Sequence, residues 1–265
     1  MTDTHDPDAL PQGQWLALSM TAYNAIEAVR GSEMAAYQTL GLLGVQHRRA
    51  TPMEETKAMR MGSAIHSLME GRFELDWVAA PPEMKTRTSK AWNEFAKACA
   101  PDLRPILHAE ALVAAEATEA LQAHPWVASF MEQGPVLEPS MVYQGCKLRP
   151  DAFGHLPGDP SYLCSVNWKT CTMNAFERWA NSARYNTLPS AGLYANVYRE
   201  VFEEPVVQVY PVVAQEEPYP VQVFILGKDT ERLACMDAAH ATECIRDAVR
   251  TGNWADGYLA EPEEL

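Results

Sequence analysis

The chain predicts an α/β (α+β) domain: a mixed central sheet flanked by helices, with a long helical region ahead of it. Three observations carry this. Apolar residues recur at helical spacing through the first half. After Gly134 the texture changes to short β-branched runs bounded by turn residues. Strands and helices then succeed one another, in the order helices, three strands, helices, two strands, helix.

In chain order, 15–46 reads as helical, with Ser19 as N-cap and Ala22, Ile26 and Val29 on one stripe. The segment 54–71 is a stronger helix, because Ala58, Met61, Ile65 and Leu68 step by three, four and three before Gly71 stops it. A loop marked by Pro81 and Pro82 precedes a helix over 86–99, an Ala-rich one over 105–124 and a short one over 126–133. Strand composition follows at 141–143 and 146–151, with a turn at Gln144-Gly145, and again at 162–169 beyond a loop over 154–160. Helices are expected at 173–184 and 189–202, the second with Pro189 in its first turn. Strands at 206–213 and 221–226 lead to a helix over 230–250, with Leu233, Met236, His240, Cys244 and Ala248 on its expected buried stripe. The expected organisation is a flexible terminus at 1–14, a helical part at 15–134, a sheet-bearing core at 135–259 and an acidic tail at 260–265.

With 265 residues the chain can bury a substantial core, and its 47% hydrophobic and 21% charged residues are ordinary for a globular protein. No apolar run reaches membrane-spanning length, so no membrane partner and a cytoplasmic location are expected. The net charge of −14 argues against wholesale coating of nucleic acid but leaves room for a basic groove. Six cysteines lack CxxC spacing and read as reduced thiols.

Alternation along a strand puts Lys147, Arg149 and Asp151 on one face of 146–151, and Asn167 and Lys169 on one face of 162–169. If the strands are neighbours, Asp151, Asn167 and Lys169 converge at one end of the sheet. Taken singly, Asp151 after Pro150 is a turn residue, Lys169 a surface lysine, and His66 a core histidine beside an apolar stripe. Together they suggest hydrolysis of a phosphodiester, in which carboxylates hold a hard cation and a lysine steadies the attacking water or the developing charge.

The set resembles the RecE-type exodeoxyribonuclease VIII branch, from phages and prophages, of the PD-(D/E)XK nucleases. Four pieces carry the likeness: Gly62-Ser-Ala-Ile-His66 for the family's G-x-A-x-H helix, Cys146-Lys-Leu-Arg-Pro-Asp151 for its K-x-R-P-D strand, Asn167-Trp-Lys169-Thr170 for D-x-K-T, and Trp254-Ala-Asp-Gly-Tyr258 for a W-x-G-Y end. The resemblance implies a restriction-endonuclease-like core and a Mg²⁺- or Mn²⁺-dependent exonuclease processing double-stranded DNA ends for recombination. It implies Asp151, Asn167 and His66 at the metal, Lys169 beside the nucleophile, a single-strand annealing protein as partner and a homo-oligomeric ring. The iron–sulfur cysteines of some relatives are not matched, since Cys235 and Cys244 lack a third late member.

Two positions depart from the family. Asn167 stands where it has Asp or Glu, and Ser190 replaces the glutamine of its Q-x-x-x-Y pair while Tyr194 is kept. An amide oxygen lacks the charge that makes a hard-cation site bind well. The alternative is therefore a catalytically inactive relative that binds DNA or a protein partner as inhibitor or regulator; whether Asn167 is natural or engineered stays open. Lys85, Arg87 and Lys90, with Arg149, Arg178, Arg184 and Tyr194, are the candidate DNA contacts.

Overall fold

The structure is a computed structural model, described here for residues 7–51, 55–172 and 176–255. After a short 3₁₀ turn come α1 (Met20–Ala25), β1 (Val29–Arg30), α2 (Gly31–Ala50), α3 (Lys57–Met69), α4 (Phe73–Asp76), β2 (Trp77–Ala79), α5 (Lys90–Ala98), β3 (Arg104–Ile106), α6 (His108–Ala123) and α7 (Pro125–Glu132). The second half holds β4 (Val136–Leu137), β5 (Met141–Tyr143), β6 (Cys146–Leu148), β7 (Ala152–Leu156), β8 (Asp159–Val166), β9 (Lys169–Cys171), α8 (Phe176–Asn186), α9 (Leu188–Val201), β10 (Val206–Ala214), β11 (Val221–Ile225) and α10 (Lys228–Thr251).

The main sheet has the order β11-β10-β8-β7-β4, with β9 continuing along β10 beyond the end of β8. It is mixed, as expected: β10 runs parallel to β8 and β9, while the other pairings in this sheet are antiparallel. A small second sheet joins β1, β6 and β5. On one side, Met61 and Ile65 of α3, Ala117 and Leu121 of α6 and Phe130 of α7 pack with Val166, Trp168 and Val209 of the main sheet. A second core joins Met34 and Val45 of α2, Leu193 and Val197 of α9 and Ile245 of α10 to Met141 and Leu148 of the small sheet. Burial of these apolar residues is the main stabilising term, about 1.5–3 kcal/mol for each large side chain.

Four sequence expectations are corrected. The helix over 15–46 is broken: α1 ends at Ala25, Val29–Arg30 pairs with β6, and only then does α2 begin. The segment 146–151 is not one strand, because the chain leaves the small sheet after Leu148 and enters the main sheet at Ala152. The expected loop over 154–160 is a hairpin whose register runs from Ala152–Val166 to Leu156–Asp159. On α10, Leu233 and Met236 are exposed, and the buried face is Ala234, Cys235, Ala238, Ala241, Thr242, Ile245 and Ala248. Small residues win there because α9 packs very close: a Cβ on Gly192 would lie 2.0 Å from the Ala234 carbonyl oxygen. The expected start of α8 at 173 and the closing motif beyond Ala255 fall outside the described residues.

Candidate active site

The turn between the two sheets positions the centre of the site. Because β6 ends at Leu148, residues 149–151 cross from one sheet to the other and their side chains fan out among several elements. Asp151 Oδ2 accepts the Trp168 backbone N–H at 2.7 Å, which fixes the carboxylate to the segment joining β8 and β9. Its Oδ1 lies 3.4 Å from His66 Nδ1, and His66 Nε2 lies 3.1 Å from the Trp168 carbonyl oxygen. The expected proximity of His66, Asp151 and the 167–169 segment is therefore present. Both neighbours of the imidazole are acceptors, one a carboxylate and one a backbone carbonyl.

His66 rides on α3, which crosses β9 with Gly62 over Thr170. An added Cβ at Gly62 would still sit 3.9 Å from Thr170 Oγ1, so this glycine is not sterically required. One turn beyond His66, Glu70 closes the helix on the same face. Glu138 reaches the same place from the opposite direction, its backbone N–H donating to the Asp151 carbonyl at 2.9 Å. It adopts φ 44°, a left-handed conformation that costs a non-glycine residue about 1 kcal/mol or more. Arg149 Nη2 donates to Glu138 Oε2 at 2.5 Å and Arg72 Nη1 to the same oxygen at 3.3 Å, which fastens the strained residue. Burial, with the nearby Glu138 carboxylate, pushes Glu70 up to about 8, so it keeps its proton at neutral pH.

Two cavities meet here. An acidic one of about 280 Å³ is lined by His66, Glu70, Asp76, Asp102 and Glu138, together with Arg72 and Arg104. A basic one of about 330 Å³ is lined by Arg30, Arg149 and Lys169, with Asn167, Ser190 and Tyr194, and has no Asp or Glu in its wall. Residues of the first turns of α2 (Gly31, Ser32) and α9 (Ser190, Ala191) also line it, the α2 terminus being capped by Glu33. Their approach depends on Gly31, where a Cβ would lie 2.9 Å from Ser190 Cβ. Another cavity, about 590 Å³ between the α9–α10 pair and the β5–β6 hairpin, contains none of these groups.

The candidate DNA contacts separate by environment. Arg149 is buried and Tyr194 receives its backbone N–H at 3.1 Å, so both are structural parts of the cavity wall. Burial pushes the Tyr194 hydroxyl up to about 12, which leaves it neutral. Arg87 is turned inward, paired with Glu110 at 2.5 Å and stacked on Trp92 at 4.4 Å. Lys85, Lys90, Arg178 and Arg184 are exposed on α5, α8 and the loop before α5, with Lys90 3.7 Å from Glu94. Arg30, Arg72, Glu70 and Glu138 were not legible as site residues, although the four-residue step from His66 to Glu70 is a sequence signal.

The donor set as it stands does not fit a tightly held divalent cation. Among the described residues no group of three or more His, Cys, Asp and Glu is placed to hold a metal. Asp151 is engaged by Trp168 and His66, Glu70 retains a proton, and Glu138 is neutralised by two guanidinium groups. Asn167 lines the basic cavity and brings no charge.

No family model matches the chain, and no curated protein does. Among solved structures it is similar to one from Eubacterium rectale whose own assignment as an exonuclease is provisional, with TM-score 0.57 and 10% identity over 89% of this chain and 88% of that one. The class is thus a mixed α/β fold with the layout of that exonuclease structure. No helix among the described residues is long and apolar enough to cross a membrane.

Proposed function

We propose that this chain is an exodeoxyribonuclease-like protein of the RecE type that grips the ends of double-stranded DNA, with its strand-holding half intact and its metal-holding half reduced. The observation that carries the reading is the carboxylate-free basic cavity directly beside the Asp151–His66–Trp168 cluster. Backbone phosphates seek such a place, a concave wall with cations and without carboxylates. Lys169 lines the basic cavity, where its ammonium can face a phosphate oxygen. On this reading Asp151 and His66 act on the scissile group, and Asn167 leaves the Mg²⁺ or Mn²⁺ that the family uses one carboxylate short.

The test uses end-labelled duplex DNA, with and without Mg²⁺ or Mn²⁺, on the wild-type chain and on Asn167→Asp. The expected result is DNA retention that weakens steeply with salt, and nucleotide release about 100-fold faster in the variant, the scale of one lost charge-stabilising group. Absence of retention at low salt overturns the reading. Equal cleavage by both proteins overturns the account of Asn167.

A further inference from the structure

The segment that leads to Asp151, β6 and the crossing after it, carries two cations, Lys147 and Arg149, whose side chains are largely buried. Lys147 is buried, with 2% exposure, and among the described residues no carboxylate lies within ion-pair distance of it. Its Nζ donates to three backbone carbonyls, of Ile26 at 2.7 Å, Tyr23 at 2.9 Å and Asn24 at 3.4 Å, and lies 4.9 Å from the centre of the Tyr23 ring. These carbonyls form the C-terminal end of α1, where the helix leaves acceptors unmet and the dipole is negative. Arg149 holds the other end, donating to the Leu18 carbonyl at 2.8 Å, just ahead of the Ser19 cap.

A six-residue helix has no stability of its own, since isolated helices shorter than about 12 residues are marginal in water. The two cations therefore determine where α1 sits. That position matters because Met20, at its start and 48% exposed, lines both the acidic and the basic cavity, while Tyr23 lines the basic one. A buried ammonium without a carboxylate is an expensive way to fill space, and an apolar side chain of similar length would fill it with less penalty.

We propose that Lys147 is a positioning residue: through the carbonyls of Tyr23, Asn24 and Ile26 it fixes α1 as the wall shared by the two cavities, and so sets how tightly a strand is held without touching it. This rests on the DNA-end reading for its consequence, but not for the clasp itself. Arg30, Glu33 and Arg49 are the charged groups that act on Lys147 in its buried setting, and Arg149 follows two residues later in the crossing beyond β6.

The experiment compares the full-length wild type with Lys147→Met by amide hydrogen exchange over 22–25, by thermal unfolding, and by anisotropy of a fluorescein-labelled duplex in EDTA across a salt series. The variant is expected to fold, to exchange the α1 amides at least about tenfold faster, and to bind the duplex about tenfold more weakly. The slope of log Kd against log salt should stay the same, because a phosphate-contacting lysine would lower it by about one and a positioning residue would not. Unchanged exchange and affinity, or a slope reduced by one, overturns the proposal. Should Lys147→Met fail to fold, Ser19→Ala loosens α1 from its other end: the same two shifts, smaller in size, support the proposal, and no shift overturns it. If the wild type binds no duplex, the DNA reading fails, and the exchange measurement still decides whether Lys147 holds α1.

Discussion

The two cavities that meet at Met20 are built by opposite rules. In the acidic one, the carboxylates near Asp151 are engaged from within: Glu138 by Arg149 and Arg72, while Glu70, 3.5 Å from Arg72, is pushed up to about 8 by burial. In the basic one, the wall has no Asp or Glu, but Arg149 is held by Glu138 and Arg30 lies 3.8 Å from Glu33; of its three cations, only Lys169 has no acid within ion-pair distance among the described residues. A site committed to holding a hard cation keeps its carboxylates ionised and unshared. A site committed to a polyanion needs a cation in that condition, and here Lys169 is that cation. The difference shows which half of the chemistry this chain has kept ready, and it places Asn167 in the half that lacks negative charge.

The largest expected effect comes from reversing that difference. Asn167→Asp puts a carboxylate into the basic wall beside Asp151; nucleotide release with Mn²⁺ should rise about 100-fold, while duplex affinity in EDTA falls. End-label release and anisotropy on the same preparation read both effects, and a gain of cleavage without loss of metal-free affinity would show that position 167 does not share the phosphate cavity.

Next in size is the proton on Glu70. Its folded pKa is raised to about 8 from 4.5, so the folded state holds a proton that the unfolded chain releases. The associated stability is fully present below about pH 4.5 and is lost as pH rises through about 8. Glu70→Gln, which is neutral throughout, should gain about 2 kcal/mol relative to wild type at pH 9 and flatten the pH dependence between 5 and 9. Thermal unfolding across that range checks it; parallel curves would mean that the carboxyl is not held neutral.

Lys169→Met comes third. Affinity for duplex should fall several-fold and the salt slope by about one, the loss of a single phosphate contact. Lys90→Ala, exposed and paired on its own helix, should change affinity less than about twofold, since such pairs contribute little. If the two lysines behave alike, the basic cavity has no special claim on the strand.

Much of this was readable before any coordinates. The apolar runs at 206–213 and 221–226 and the step pattern of α3 depend on local periodicity, and they reappear as β10, β11 and α3. Asn167 and Lys169 both line the basic cavity, but the strand expected over 162–169 breaks at 167–168, so alternation along one strand is not what brings them there. What escaped depends on partners distant in sequence. Val29 continues a helical stripe on paper, but Cys146 lies 117 positions away and pairs with it as a strand. The hairpin over 152–166 was hidden by Gly154, Pro157, Gly158 and Pro160, which score as loop although cross-strand bonds hold the segment extended. Leu233 and Met236 outweighed the alanines of α10 in the pattern, because nothing local says that Gly192 brings another helix within reach. Glu138 gave no sign at all; its place depends on a backbone bond to Asp151 and on two arginines from other segments.

The crossing at 149–151 has a mechanical consequence. One short turn bridges the two sheets, and its residues reach Leu18, Glu138, His66 and Trp168 in succession. The main sheet, the small sheet, α1 and α3 are therefore tied at a single knot.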